Sequence, residues 1–278
     1  MLVIDTHAHI YSPDEKRYPV IEKPLRPPAG SGSLEQLREV TKANAVQGAC
    51  LIQVSTFYRF DNRYICDSAI AAKQWTAGVC TLDPEDTHSP GMLKHFAEKY
   101  SLRGMRSIPA RGGKLDHPGV RALWKSALES GIVINALINL EQAPQLETLL
   151  QAFPKLPVVL DHCLSLKAGP QFEKTLDAVL RLARFRNLHA KLTFLPTGST
   201  TGYPCTDMHA PCLKIIDAFG GDRCVWGSDF PCDLWTPRVT YAEHLRIFQR
   251  DLPLKDPLRA QILGETAKKL WFPAAMPQ

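Results

Sequence analysis

No apolar run in this chain approaches the roughly 20 residues needed to cross a bilayer. The longest such stretch, GIVINALINL at 131–140, has about half that length, so no membrane partner is expected. A strong charge of one sign is also missing: 33 Lys and Arg stand against 28 Asp and Glu, a formal net charge of +5 over 278 residues. That balance argues against a function carried by bulk electrostatics. The densest basic cluster, Arg181, Arg184 and Arg186, shares a segment of helical period with Leu180, Leu182 and Phe185, which is the pattern of a solvated helix face. No nucleic-acid partner is therefore expected. The eight cysteines include no CxxC pair and no compact framework spacing, so reduced, mostly buried thiols are expected instead of a disulfide scaffold or a Cys-rich metal site. The amino-terminal MLVIDTHAHI has no basic leader and carries Asp5 where a signal peptide needs an unbroken apolar core; a cytoplasmic protein is the expectation. With 45% hydrophobic and 22% charged residues, the composition is that of a globular protein and excludes disorder.

What is present is an alternation. Short apolar or β-branched runs recur at 2–10, 49–55, 76–83, 102–108, 132–138, 156–162, 187–194 and 223–230, separated by segments of helical period, which is the pattern of parallel βαβ units. Ser33 with Gln36 forms a capping-box pattern before Leu34, Leu37 and Val40; Ser89–Pro90 and Asp256–Pro257 place a capping residue ahead of a first-turn proline. Gly131 and Gly220 stand where helices should stop. Eight strands and eight helical segments over this length predict an α/β fold, a (β/α)8 TIM barrel forming a single domain over 1–278, with its active site at the carboxyl ends of the strands. The alternative, a doubly wound open sheet, would not bring the first and last strand ends together. Residues 11–33, which follow the first strand, contain five prolines and read either as a functional loop or lid or as a stiff surface insertion.

Chemistry concentrates at the strand ends. His7 and His9 are two apart on the first strand and so point to one side, into the barrel mouth. Asp161–His162 closes the sixth strand, and Asp229, in VWGSDFP, closes the eighth. Packing several ionisable groups into one mouth for stability alone would be costly, which favours a functional cluster.

With IDTHAHI at 4–10, VSTFYRFDN at 54–62, LRGMRS at 102–107, VVLDH at 158–162, AKLT at 190–193, WGSDFP at 226–231 and ILGETAKKLW at 262–271, the chain resembles the amidohydrolase superfamily. The resemblance is to the amidohydrolase-related branch that includes 2-pyrone-4,6-dicarboxylate lactonase and sugar lactonases. It implies that His7, His9, His162 and Asp229 are the catalytic residues. Metal-dependent members also place a carboxylated Lys or a Glu at the fourth strand end and a His at the fifth. Here those positions hold Arg106, and Asn135 and Asn139; a bridging carbamate beside a guanidinium is excluded, and with it a binuclear centre. One divalent ion, Zn²⁺ or Mn²⁺, held by His7, His9 and Asp229 with or without His162, stays open. The likeness to lactonases that work without metal favours metal-free hydrolysis, with no cofactor required.

The implied reaction is the opening of a lactone, with Asp229 activating water and the histidines polarising the carbonyl. Arg106 and Arg111 are expected to grip a substrate carboxylate, with a surface salt bridge as the competing role for Arg111. Lys191, on one strand face with His189 and Thr193, either orients substrate or pairs with a buried acid such as Asp161. Ser55, Tyr58 and Asn62 are expected substrate contacts by the same resemblance, and loop structure is their alternative. The loop at 195–211 contains no Arg or Lys, whereas the dicarboxylate lactonase has an arginine there, so a neutral or monoanionic lactone is expected. Competing readings are a metal-dependent non-oxidative decarboxylase of an aromatic or unsaturated acid and a non-catalytic ligand-binding barrel. The expected partner is a small-molecule substrate, and a homo-oligomer is left open because no interface can be read from the periodicity.

Overall fold

A computed structural model describes residues 1–100 and 102–273. Eight parallel strands pair in sequence order: β1 (Ile4–Ala8), β2 (Gly48–Ile52), β3 (Thr76–Thr81), β4 (Gly104–Ser107), β5 (Val133–Ala136), β6 (Val158–Leu160), β7 (Leu188–Lys191) and β8 (Cys224–Val225). Each falls inside one of the eight runs expected from the sequence, except that β2 begins one residue earlier, at Gly48. β8 returns to β1 through backbone hydrogen bonds donated by the amides of Thr6 to Trp226 (3.2 Å), Asp229 to His7 (2.9 Å) and His9 to Phe230 (2.8 Å). The result is a single-domain (β/α)8 barrel, and this closure sets the first and last strand ends side by side. No helix among the described residues is long and apolar enough to cross a membrane.

Strand alternation sorts the barrel interior into two levels. Low in the barrel, Ile4, Cys50, Ile52, Ala77, Val79, Val133, Val159 and Val225 pack with Trp271 at the end of the last helix and Phe272 just after it in a cluster of their own. Two residues further along three of these strands stand Thr81, Asn135 and Asp161, with Arg106 and Lys191 at the ends of β4 and β7. The mouth is therefore polar because the period-2 face continues from apolar into ionisable residues. β1 breaks strict alternation. Its register slips between Asp5 and Ala8, an irregularity of the bulge kind, so that Asp5 turns away to Tyr241 while His7 and His9 turn inward.

That outward Asp5 ties the seam. It accepts from the Ser228 amide (2.9 Å), the Ser228 hydroxyl (2.6 Å), the His7 amide (3.0 Å) and the Tyr241 hydroxyl (3.1 Å). Burial raises its carboxyl to about 6, the hydrogen bonds from Ser228, His7 and Tyr241 opposing that rise.

The helix caps depart from the sequence reading by small shifts. Ser33 accepts from the Gln36 amide (3.1 Å), but Gln36 answers to the amide of Gly32 and not to that of Ser33, giving half of a capping box. Ser89 and Asp256 each lie one position inside their helices, which His88 and Lys255 precede. Gly131 and Gly220 follow helix ends with φ of 64° and 80°, as expected. All eight cysteines are free and buried.

The proline-rich segment 11–33 is docked over the turn after β2. The amides of Ile21 and Leu25 donate to Phe57 (2.9 Å) and Thr56 (3.0 Å), the Tyr18 hydroxyl donates to Asp67 (2.7 Å), and Arg26 pairs with Glu15. Tyr11, Tyr18, Val54, Phe57 and Tyr58 form a separate buried cluster beneath it.

Candidate active site

Two of the four central side chains sit on left-handed backbone. His162 opens a turn in which four consecutive residues, His162, Cys163, Leu164 and Ser165, have φ of 53°, 47°, 62° and 55°, and Asp229 has φ of 60°. None is glycine, and each such residue costs about 1–2 kcal/mol. Strain of this kind persists where the surrounding structure enforces it, and it clusters at functional sites. The Asp229 amide is held by the His7 carbonyl. Cys163 donates its thiol to the Lys191 carbonyl (3.4 Å) and the Leu166 amide closes the turn onto His162 (3.1 Å).

The ion network lies under the histidines. Asp161, fully buried, accepts from Lys191 Nζ (2.8 Å), Arg106 Nε (3.2 Å) and Asn135 Nδ2 (3.4 Å). Burial alone would raise its carboxyl, yet Lys191 and Arg106 together hold it well below the usual carboxylate range. His7 and His9 are driven well below the ordinary imidazole value, chiefly by burial and then by Lys191 and Arg106 for His7 and by Arg106 for His9. Both are neutral, so each carries one ring proton.

The hydrogen bonds assign those protons. His9 Nδ1 is 2.9 Å from the Ile52 carbonyl, which can only accept, so Nδ1 donates and Nε2 keeps a lone pair. His7 Nε2 is 2.7 Å from a terminal nitrogen of Arg106. A guanidinium can only donate, and so can the Lys191 ammonium, which lies 3.3 Å from His7 Nδ1; the much shorter Arg106 contact places the lone pair on Nε2 and the ring proton on Nδ1, 3.9 Å from Asp161. The two Nε2 atoms stand 3.2 Å apart, with Asp229 Oδ1 at 3.5 Å and 3.8 Å from them. Two nitrogens on one tetrahedral Zn²⁺ stand about 3.3 Å apart. His7, His9 and Asp229, whose ligand atoms all lie within 4.8 Å of one another, therefore have the donor types and spacing for one divalent cation. His162 stands slightly apart: its Nδ1 is 2.6 Å from the Thr193 hydroxyl and 4.0 Å from Asp229 Oδ2.

Comparisons with known proteins return barrels that superpose over almost the whole chain. The family model described as amidohydrolase matches residues 4–272. The chain belongs to the amidohydrolase family. Its relatives include an L-fucono-1,5-lactonase of Burkholderia ambifaria, 26% identical over 201 residues that make up 71% of this chain and 69% of that one. Among solved structures, a candidate 2-pyrone-4,6-dicarboxylic acid hydrolase of Pseudomonas putida superposes with a TM-score of 0.82 at 20% identity, covering 97% of each chain. An amidohydrolase of Burkholderia multivorans with zinc bound superposes with a TM-score of 0.76 at 21% identity, covering 97% of this chain and 99% of that one.

In this amidohydrolase the expected site residues do not all converge. His7, His9, His162, Asp229, Arg106 and Lys191 meet in the mouth. Arg111 does not: four residues beyond the end of β4 it opens a short turn at Arg111–Gly113, where its side chain is 86% exposed and pairs with Glu85 at 2.9 Å. Lys191 takes the acid-pairing role, on Asp161. Asn62 is committed to structure, donating to the carbonyls of Phe60 and Thr81 (both 2.9 Å) and accepting from the Thr81 amide (2.9 Å). The Tyr58 hydroxyl accepts from the Ser12 amide (2.7 Å) and so anchors the proline-rich segment. Ser55 opens the short helix Ser55–Tyr58.

Other groups also enter the site. Thr193 holds His162, and the buried Nε1 of Trp235, whose ring lies 5.5 Å from that of His9, has no protein partner among the described residues. The Tyr11 hydroxyl is likewise buried with no partner within 3.5 Å, and it lies close enough to Trp235 for that N–H to oppose the rise that burial imposes on its phenol. These are donors placed to meet a polar ligand at the mouth.

Gly227 fixes the seat of His7. A Cβ at this position would lie 2.7 Å from His7 Cβ, 2.9 Å from its backbone nitrogen and 3.0 Å from Thr193 Cγ2. Because a backbone atom is among these, the neighbour cannot rotate away. Gly227→Ala is expected to displace His7 and cut kcat/KM by up to about 100-fold, the cost of a misplacement near 1 Å, with the far-UV circular dichroism retained. Unchanged kcat/KM would show that the position of His7 is not critical.

Proposed function

We propose that the protein hydrolyses a neutral or monoanionic lactone, with Asp229 as the base that activates water. The observation that carries this reading is the buried carboxylate of Asp229 facing two imidazole lone pairs and the Arg106 guanidinium, at a strand end where water and an ester carbonyl can be held together. The L-fucono-1,5-lactonase relative supports the lactone class, and the unpartnered Tyr11 hydroxyl and Trp235 Nε1 suit a hydroxyl-bearing ring.

Charge supports the substrate's charge limit. With the histidines neutral, Arg106 and Lys191 are balanced by Asp161 and Asp229, so the cluster has no excess positive charge for a dicarboxylate. Of the cations that reach the loop after β7, Arg238 spends donors on the carbonyls of Thr200 (3.0 Å) and Ser199 (2.8 Å), and Arg246 stacks over the Tyr203 ring at 5.7 Å.

In the reaction, Asp229 takes a proton from water as the water oxygen bonds to the carbonyl carbon. The developing oxyanion is stabilised by N–H donors. Here the reading from sequence changes: His7 and His9 present lone pairs and cannot donate to it, which leaves Arg106 and His162. His162 can serve in the tautomer whose Nδ1 accepts from the Thr193 hydroxyl (2.6 Å), which leaves the ring proton on Nε2 for the oxyanion. The ring C–O bond then breaks, the leaving alkoxide recovers the proton from Asp229, and the hydroxy acid departs. A divalent ion held by His7, His9 and Asp229 would supply Lewis acidity and a more acidic water; the Burkholderia multivorans amidohydrolase has zinc bound.

The test is a pH-indicator assay against sugar lactones and aromatic-derived lactones. Stoichiometric acid release is the expected result. Its absence across the panel would overturn the reading, and CO₂ release from an aromatic carboxylic acid would replace it with decarboxylation.

A further inference from the structure

We propose that Arg106 is a competitor for the cation site: its guanidinium occupies the His7 lone pair that a metal needs, and so sets the divalent-cation affinity of the His7–His9–Asp229 cluster. The inference concerns the site discussed above but stands whether or not the substrate is a lactone.

The argument starts from what each atom can do. His7 Nε2 has one lone pair, and a nitrogen of Arg106 sits on it at 2.7 Å. The guanidinium is always protonated and cannot turn into an acceptor. Binding a metal at His7 therefore means breaking this charge-assisted hydrogen bond. His9 is different. Its Nδ1 is fixed on the Ile52 carbonyl, which orients Nε2 toward the cluster as a ready ligand. Of the two imidazoles, one is preset for a metal and the other is already engaged by a side chain.

Arg106 cannot simply swing away. It is 5% exposed, and its Nε is tied to Asp161 at 3.2 Å, which is in turn held by Lys191 and Asn135. A metal entering the cluster must push against a guanidinium anchored from below, with both its proton and its charge opposed to the incoming cation. The trade also works in reverse. When no metal is bound, the Arg106 donor satisfies the His7 lone pair, which otherwise faces the His9 lone pair at 3.2 Å with neither nitrogen able to donate to the other.

The test measures Zn²⁺ binding by the full-length, metal-stripped protein against a chromophoric chelator at neutral pH, with no substrate present. Arg106→Met and Arg106→Gln are expected to bind one Zn²⁺ about 10- to 100-fold more tightly than wild type, the range through which groups around a metal's ligands tune affinity. Adding His9→Ala to either variant should abolish the gain, which places the bound ion in the cluster. Thermal melts confirm that each variant is folded, and two substitutions guard against the failure of one. Affinity equal to or weaker than wild type in the folded variants would overturn the proposal. An equal gain from Lys191→Met would also overturn it. Lys191 Nζ faces the other ring nitrogen of His7, at 3.3 Å, so an equal gain would show that bulk charge, and not occupation of the lone pair, sets the affinity. A lactone assay that fails leaves this measurement untouched.

Discussion

Asp229→Asn is expected to lower kcat by about 10²- to 10⁴-fold, the range supplied by a positioned general base, while leaving the fold intact. Asparagine matches aspartate in shape and tolerates the φ of 60° found at this position, so the change removes proton affinity and little else. The pH profile makes the assignment specific. Burial raises the Asp229 carboxyl above its ordinary value of 3.8, with His162 and Arg106 opposing the rise. Only the ionised form can accept a proton from water. Activity should therefore rise as pH rises through this displaced value and fall as pH drops below it, and the acid limb of kcat/KM should have its midpoint above 3.8 in wild type. In Asp229→Asn the residual rate should lose that limb. Turnover equal to wild type would remove Asp229 from the role of base, and an unchanged acid limb in the slow variant would hand the titration to another group.

Why the sequence revealed as much as it did follows from the geometry of parallel strands. A strand that starts in the barrel interior must keep alternate residues inside, so Val159 and Val133 announce Asp161 and Asn135 two positions later. Closure of the barrel does the rest for His7, His9 and Asp229. Three kinds of information were out of reach. Strict alternation puts Ile4 and His7 on opposite faces, and the register slip in β1 that reconciles them has no residue signature. The left-handed turn at His162–Ser165 contains no glycine to signal it; the tertiary contact of Cys163 to the Lys191 carbonyl, with the Leu166 amide closing the turn on itself, holds it. Proton placement was hidden as well. The motif names His7 and His9 alike, but whether an imidazole donates or accepts depends on the Ile52 carbonyl and the Arg106 guanidinium, which arrive from other strands. That is why the histidines were expected to polarise a carbonyl that their lone pairs cannot reach as donors. Arg111 failed for a related reason: closeness in sequence to Arg106 says nothing once the chain has left β4 for the turn at Arg111–Gly113.

The second large effect is on stability. Asp161→Ala is expected to cost about 3–5 kcal/mol, the penalty for leaving buried charge uncompensated, and to lower the thermal midpoint by about 10 °C for a chain of this size. Asp161 and Lys191 are both fully buried, and Asp161 also anchors Arg106. Without the carboxylate, two cations share a low-dielectric barrel interior with neutral histidines above them and the Trp271 ring 5.5 Å from Lys191 Nζ. Lysine can escape by losing its proton, whereas arginine cannot, so Arg106 is the more damaging orphan. This gives a further expectation. Asp161→Asn combined with Lys191→Met removes one charge of each sign, restores the balance, and should be less destabilised than the sum of the two single variants, since the three groups form one network. Strict additivity in urea unfolding would show that Asp161 and Lys191 are not energetically coupled. Coupling would mean that the charges beneath the histidines are held as a unit, and that His7 and Arg106 keep their geometry because Asp161 fixes the guanidinium from the side away from the substrate.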